Sequence, residues 1–216
     1  IIDIICEIMS IFGKKKNNLS TPSDRKDFEY LSDDVIYFDS ACQTLRPQPV
    51  LDKLMEYYKE YNTCGGRVKY EWGKRVDAEI QATRDAILKF SGKSDKNYGV
   101  SFTLNTTYGI NLVLQQLPVG NFKKIITSDI EHNSVFLATM TASTRLNIPR
   151  QILSRKADGV LEYSKDDIEG AIVVLNSTSN IDGRVLQNIS QLTEDVHKAG
   201  GIVIIDGAQS MVHGSS

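Results

Sequence analysis

A run of four β-branched residues, 202–205, ends on Asp206 and Gly207 and constrains the fold more than any other part of the chain. Such a continuous apolar run is typical of a strand that is buried on both faces, as in a parallel sheet. Ligands of open α/β sheets bind beyond the carboxyl ends of the strands. We therefore expect Asp206 and Gln209 to face a binding crevice. For this motif alone, an ordinary turn that starts with aspartate is the alternative.

Two further segments place polar residues where a predicted strand leads into a helix. Residues 99–104 predict a strand, and Thr106 and Thr107 follow it at the start of an apolar-periodic helix. Free backbone N–H groups and threonine hydroxyls at a helix N-terminus favour anion binding, although a simple helix cap uses the same geometry. The predicted strand 124–127 leads to His132, which is either a ligand group or a solvated loop residue.

Elsewhere the apolar spacing alternates between strand and helix signals. Strands that alternate with helices, without hairpin signals, indicate an α/β fold with a mostly parallel sheet and right-handed crossovers. The spacing in residues 1–12 predicts an amphipathic helix that is too short to span a bilayer. The other predicted strands are residues 150–154, 171–176 and 201–206, and the predicted helices are residues 47–61, 72–90, 132–146 and 189–199.

Composition excludes several classes of protein. The 216 residues are 41% hydrophobic, which is enough for a core of ordinary size. A net charge of -2 gives no reason to expect nucleic acid or an anionic membrane as a partner. Cys6, Cys42 and Cys64 are odd in number and lack metal-ligand spacing, which favours a reducing, cytoplasmic compartment over a disulfide framework. No His, Cys and carboxylate pattern predicts a metal site.

Five motifs, taken in order along the chain, resemble the class V aminotransferases. Within that family the sequence is most similar to the cysteine desulfurases and their desulfurase-like relatives, which are pyridoxal-phosphate (PLP) enzymes. The motifs are Tyr37-Phe-Asp-Ser-Ala41, Phe102-Thr-Leu-Asn-Thr-Thr107, Glu131-His-Asn-Ser134, Ser179-Asn180 with Gly183, and Asp206-Gly-Ala-Gln-Ser210.

The resemblance implies the large domain of the PLP-dependent transferase (aspartate aminotransferase-like) fold, which is an α/β domain with a mostly parallel sheet flanked by helices. We expect this domain to be incomplete in the chain. The predicted division has three parts. Residues 1–34 form an N-terminal helix and linker, residues 35–97 form an N-terminal segment with helices, and residues 98–216 form part of the PLP-binding domain.

The resemblance also implies how the cofactor ring is held. Asp206 bonds the pyridine nitrogen and keeps it protonated, because a buried carboxylate favours a cation beside it. The protonated ring is the electron sink of PLP chemistry. His132, the implied catalytic residue, stacks on one face of the ring, and Ala208 closes the other face.

Four further residues complete the implied cofactor site. Gln209 bonds the phenolic oxygen of the ring, and Asn180 lies near that oxygen or near the substrate carboxylate. Thr106 and Thr107, with local backbone N–H groups, hold the phosphate.

One departure from the family pattern concerns lysine. In the family, the lysine that binds the cofactor covalently follows the Asp-Gly-Ala-Gln element, whereas the last lysine of this sequence is Lys198. The segment that carries the sulfur-accepting cysteine is missing as well. We expect the chain to be the N-terminal part of a longer protein and to be inactive by itself. A degenerate, non-catalytic paralogue is the alternative.

The resemblance implies that the complete protein converts L-cysteine to L-alanine and transfers the sulfur to an enzyme thiol. The implied partners are a small amino-acid substrate, a second copy in a homodimer and a sulfur-acceptor protein. Other class V reactions remain open, namely those of transaminases, kynureninases and epimerases. A binding module that keeps the PLP fold without the chemistry also remains open.

Overall fold

The chain divides into two compact units, which comprise residues 25–95 and 96–210 of the part that the computed structural model describes. The helix predicted over residues 1–12 lies outside the described residues. The three-part division of the sequence at residues 34 and 97 stays a prediction.

Two helices make up most of the first unit. After a 3₁₀ turn at Arg25–Phe28, α1 spans Gln48–Glu60 and α2 spans Glu71–Phe90, as the apolar spacing predicts. Charged side chains connect the two helices, and the Arg75 guanidinium lies 3.9 Å from the centroid of the Tyr61 ring. The Tyr61 ring is buried at the end of α1, so Arg75 covers it while it pairs with carboxylates of α1.

A four-stranded parallel sheet forms the centre of the second unit. The strands are β1 (Lys124–Ser128), β2 (Arg150–Leu153), β3 (Ala171–Asn176) and β4 (Ile202–Asp206), in the spatial order β2-β1-β3-β4. The helices are α3 (Thr106–Gln116), α4 (Asn133–Leu146), α5 (Lys165–Ile168) and α6 (Ile189–Lys198). The predicted α/β class and the parallel sheet are confirmed.

Both faces of this sheet are buried, which explains the continuous apolar runs of β3 and β4. Side chains alternate between faces along a strand. Ile125 therefore packs with α3 and α4 on one face, whereas the adjacent Ile126 packs with α5 and α6 on the other. Every residue of β3 is buried. Helices on both faces are the arrangement that a parallel sheet requires.

Helices α3 and α4 run side by side in the same direction. At their start, Thr107 Oγ1 lies 2.6 Å from Ser134 Oγ. At their end, Arg145 Nη2 donates to the carbonyl oxygens of Leu114 and Leu117, at 2.7 and 2.9 Å. Because α4 begins just after β1 ends, both helix N-termini lie at the carboxyl edge of the sheet.

The strand predicted at residues 99–104 is wrong. This segment has no strand conformation and is not one of the four strands of the sheet. Phe102 and Leu104 are 52% and 84% exposed. Apolar and β-branched residues favour a strand where their side chains are packed, and Phe102 and Leu104 are largely exposed instead.

Neither a membrane-spanning helix nor a metal-binding cluster is found among residues 25–210. No helix in this range is both long enough and apolar enough to cross a bilayer. No three His, Cys, Asp or Glu side chains in the same range are grouped so that they could hold a metal ion. Cys42 and Cys64 are free and exposed.

Candidate functional site

The carboxyl edge of the sheet presents a buried carboxylate. Asp206 is the last residue of β4 and is 5% exposed. Its Oδ1 accepts a hydrogen bond from the backbone N–H of Ala208 at 3.0 Å. Its carbonyl oxygen accepts bonds from the N–H and hydroxyl of Ser177, at 3.0 and 3.1 Å. The strand end and the following turn therefore hold Asp206 in one orientation.

The turn after Asp206 carries the other two residues of this motif. Ala208 is exposed and Gln209 is half-buried. The turn is tied back to the sheet because Ser210 Oγ lies 2.6 Å from Ser177 Oγ. The predicted roles of Ala208 and Gln209 stay predictions, but both residues lie at the edge where the sequence places the binding crevice.

His132 caps helix α4 with its own ring. Nδ1 accepts the backbone N–H of Ser134 at 3.1 Å and lies 2.8 Å from Ser134 Oγ. Since Nδ1 accepts, the ring is neutral in this arrangement and its hydrogen is on Nε2. The residue is exposed. His132 thus serves as a cap and still presents a ring and an N–H to a ligand.

Ser134 joins the two predicted ligand groups at this end of the helices. Its hydroxyl lies between the His132 ring and the Thr107 hydroxyl, within hydrogen-bond distance of both. Because Nδ1 of His132 accepts, the Ser134 hydroxyl donates to it and accepts the hydrogen of Thr107. The structure therefore brings Thr107 and His132 together, although they are far apart in sequence.

At the start of α3, the helix cap is Asn105 and not one of the two threonines. Asn105 caps the helix, because its Oδ1 accepts the N–H of Tyr108 at 2.8 Å. Thr106 and Thr107 are the first two helical residues, and both are exposed. Neither threonine is needed as the cap, which leaves their position open to the anion role that the sequence suggests.

Asn180 lies in an exposed turn that follows β3. The turn closes through Gly183 N–H, which donates to the Ser179 carbonyl at 3.0 Å. Gly183 has a φ of 74°, a conformation that favours glycine. The turn starts from the carboxyl edge of the sheet, as the site requires. The role of Asn180 stays a prediction.

Beneath these residues lies a buried network that the sequence did not reveal. Arg155 Nη1 donates to Asn176 Oδ1 and Nη2 to the Asn176 carbonyl, both at 2.8 Å. Nη2 also lies 3.3 Å from Glu131 Oε1. Glu131 Oε2 accepts the Asn176 N–H at 2.6 Å, and Ser128 Oγ donates to Oε1. A charged residue just after an apolar strand was the available signal for Arg155.

Burial raises the pKa of Glu131 from 4.5 to about 7. The hydrogen bond from Ser128, the charge of Arg155 and the N–H of Asn176 lower this pKa, but they do not offset the loss of hydration. The negative charge of Asp206 raises it further. The Glu131 carboxyl therefore changes its charge near neutral pH, and the charge on Asp206 at the end of β4 affects its pKa.

Together the fold and the site define an α/β protein whose predicted ligand groups lie at the carboxyl edge of a parallel sheet. The class V aminotransferase profile matches residues 36–216. The chain belongs to the class V aminotransferase family.

Curated relatives and a solved structure agree with this assignment. The chain is 30% identical to a probable cysteine desulfurase of Methanothermobacter thermautotrophicus, over 90% of this chain and 48% of the relative. It is also 30% identical to a probable cysteine desulfurase of Pyrococcus abyssi, over 89% and 48%. The apo cysteine desulfurase of Thermococcus onnurineus NA1 superimposes with a TM-score of 0.69 at 27% identity, over 80% of this chain and 44% of that one. The chain thus spans about half the length of the curated relatives it matches.

Proposed function

We propose that this chain provides the cofactor-binding part of a PLP-dependent enzyme of the cysteine desulfurase type. Family membership supports pyridoxal phosphate as the cofactor, and the relatives are named as cysteine desulfurases. The observation that carries the proposal is the convergence of Asp206, His132 and Thr107 at one edge of the sheet.

The donor set fits pyridoxal phosphate. The buried carboxylate of Asp206 suits a ring nitrogen that must stay protonated. The exposed ring of His132 suits stacking on a flat aromatic group. The N-terminus of α3, with Thr106 and Thr107, suits a phosphate dianion. When bound, pyridoxal phosphate supplies an electron sink that stabilises negative charge on the substrate α-carbon.

Each of these residues has a task that follows from its surroundings. Asp206 accepts a hydrogen bond from the ring nitrogen while Ala208 N–H holds one of its oxygens in place. His132 offers the hydrogen on Nε2 as a hydrogen-bond donor to the bound ligand, since Nδ1 is already an acceptor. Ala208 and Gln209 close the site from the turn, and Asn180 reaches it from the loop after β3.

The complete reaction, substrate and partners are part of the same proposal. We infer that L-cysteine is the substrate, that its sulfur passes to an enzyme thiol and then to an acceptor protein, and that L-alanine is released. A homodimer in the reducing cytoplasm is the expected setting, which agrees with the free thiols of Cys42 and Cys64.

Cofactor binding by the 216-residue chain tests the site. Isothermal titration with pyridoxal phosphate should show binding, and Asp206→Asn should weaken it by about tenfold, because a charge-assisted hydrogen bond is lost. Asp158→Asn is the matched control, because Asp158 Oδ1 also accepts the N–H two residues ahead, at 3.0 Å. Affinity that is unchanged in Asp206→Asn would contradict the proposed role of this carboxylate.

Product analysis tests the reaction. The natural polypeptide that contains these 216 residues, loaded with pyridoxal phosphate and given L-cysteine and a thiol reductant, should release alanine and sulfide in equal amounts. Keto-acid formation would instead indicate a transaminase. Binding of the cofactor without turnover of any amino acid would indicate a binding module.

A further inference from the structure

Three buried residues connect the carboxyl ends of β1, β2 and β3 and are called the buried clamp here: Glu131, Arg155 and Asn176. All three are less than 10% exposed, and the side chains of Glu131 and Arg155 are fully buried. Besides the bonds described above, Asn176 Nδ2 donates to the Ile130 carbonyl at 2.8 Å. Asn176 therefore donates two hydrogen bonds to this segment, one from its backbone N–H to the Glu131 carboxylate and one from its side-chain amide to the Ile130 carbonyl oxygen.

The buried clamp lies between the two residues that are proposed to hold the cofactor ring. Glu131 directly precedes His132 in the chain. Asn176 pairs in register with Asp206, and its neighbour Ser177 donates to the Asp206 carbonyl oxygen. The distance between Glu131 and Asn176 therefore contributes to the distance between His132 and Asp206, because these bonded segments carry the two residues.

Arg155 fixes this distance through the shape of its guanidinium. The planar fork places Nη1 and Nη2 on the two oxygens of Asn176 and directs Nη2 to Glu131 as well. Replacing such a buried ion pair by apolar side chains is often neutral or stabilising, so stability does not account for the pair. In addition, Arg155 Nε is buried without a hydrogen-bond partner among the described residues. The unpaired N–H of Arg155 costs free energy, so the role of Arg155 is better explained by the distance it fixes between Glu131 and Asn176.

We propose that Glu131 and Arg155 are positioning residues that set the spacing of His132 and Asp206 for an aromatic cofactor ring. The inference rests on the proposed function, because it takes pyridoxal phosphate as the ligand. Neither residue touches the ligand; both act through the strand ends. The buried clamp should therefore affect recognition of the ring but not recognition of the phosphate group, which is assigned to the N-terminus of α3.

The ratio of the affinities for pyridoxal phosphate and inorganic phosphate distinguishes a positioning role of the buried clamp from a purely structural one. Pyridoxal phosphate and inorganic phosphate are each titrated into the 216-residue chain and into Glu131→Gln and Arg155→Met. In Glu131→Gln the side chain cannot accept from all three of its present donors, because one carboxylate oxygen becomes an NH₂ group. We expect both variants to bind pyridoxal phosphate about tenfold more weakly and inorganic phosphate within about twofold of the unmodified chain.

Tyr163→Phe is the control for a partly buried hydrogen bond that is lost elsewhere in the same unit. The Tyr163 hydroxyl donates to Asp195 Oδ2 at 2.9 Å, against the C-terminal half of α6. This variant should lose stability without changing the ratio of the two affinities. Glu131→Gln is the milder of the two test variants and keeps the inference testable if Arg155→Met does not fold.

Three outcomes would overturn the inference. Equal weakening of both ligands would mean that the buried clamp is only structural, and unchanged affinity in Glu131→Gln would mean that it does not position the ring. If the unmodified chain binds inorganic phosphate but not pyridoxal phosphate, the proposed function fails first and the inference fails with it. Only a selective loss of pyridoxal phosphate affinity in the test variants supports both the inference and the proposed function.

Discussion

Two clusters of Glu with Lys or Arg show how burial decides what an ion pair does. In the first unit, Lys53 pairs with Glu56 and Glu79, and the three side chains are between 29% and 49% exposed. In the second unit, the Glu131 and Arg155 side chains have no exposure. A hydrogen bond from Lys53 lowers the pKa of Glu56, whereas burial raises that of Glu131 to about 7. The same residue types therefore give a solvated surface pair in one unit and a rigid, titratable group in the other.

The two clusters should differ most in the stability that is lost when one partner of the ion pair is removed, and the loss should be larger for the buried pair. Arg155→Met leaves Glu131 buried without its cation, and such a change costs about 3–5 kcal/mol when the remaining group stays charged. Because Glu131 can take up a proton, the loss should be smaller at pH 6 than at pH 8. Urea unfolding at the two pH values measures both effects.

The surface counterpart, Arg75→Met, is the control for this comparison. Arg75 also pairs with glutamates and covers the Tyr61 ring, but the side chain is 39% exposed. It should lose less stability than Arg155→Met and show no difference between pH 6 and pH 8. A loss in Arg155→Met that is the same at both pH values would contradict the view that Glu131 titrates near neutrality.

Much of the sheet could be predicted from sequence, because its signals are local. The apolar runs of β3 and β4 and the helix that begins after His132 depend on residues that are adjacent in the chain. Residues 99–104 have a similar local pattern, yet they form no strand, since side-chain burial depends on tertiary packing that the local sequence does not describe.

The site was predictable in part for the same reason. Asp206 and His132 stand at strand and helix ends, where polar residues are conspicuous. The buried clamp was not foreseen, because Glu131 reaches Asn176 across 45 residues and Arg155 across 24. A carboxylate's partners and its burial are set by the order of strands in space. No spacing rule along the chain contains that order.

The pH dependence of stability should sharpen the comparison further. The Glu131 pKa is 4.5 in an unfolded chain and about 7 in the folded one, so between these values the folded state binds the extra proton. Stability contributed by this proton is present at low pH and is lost as pH rises through 7. Over the whole range between the two pKa values, the free energy of unfolding changes by about 3 kcal/mol.

Glu131→Gln should remove this slope, which is measured by denaturant unfolding between pH 5 and pH 8. For Glu56 we expect the opposite dependence of stability on pH, because its lowered pKa gives stability at neutral pH that is lost as pH falls. Glu56→Gln is therefore the matched control, and it should leave the slope between pH 6 and pH 8 unchanged. A slope that persists in Glu131→Gln would assign the titration to another group.

A smaller effect is expected from Ser134, which joins His132 to Thr107. Ser134→Ala keeps the backbone N–H that bonds His132 Nδ1, so helix α4 keeps its cap and stability should fall by only about 1 kcal/mol. Affinity for pyridoxal phosphate should fall about threefold to tenfold, since both ligand groups lose the hydroxyl that orients them. Thr141→Ala, which removes an exposed hydroxyl from the same helix, should leave the affinity unchanged. An affinity loss of equal size in both variants would show that the hydroxyl link has no special role.

The smallest effect should be the coupling between Lys53 and Glu79. Lys53 Nζ lies 2.9 Å from Glu79 Oε1, but both side chains are more than 40% exposed, and exposed pairs are screened by water and salt. A double-mutant cycle with Lys53→Met and Glu79→Gln should give a coupling that is weak at low ionic strength and disappears in 1 M NaCl, roughly where screening acts within one contact distance. The same cycle with Glu131→Gln and Arg155→Met should give a coupling that salt does not change, because water and ions do not reach the buried pair. If both cycles responded equally to salt, burial would not be the variable that separates the two clusters, and the geometric role assigned to Glu131 and Arg155 would lose its physical basis.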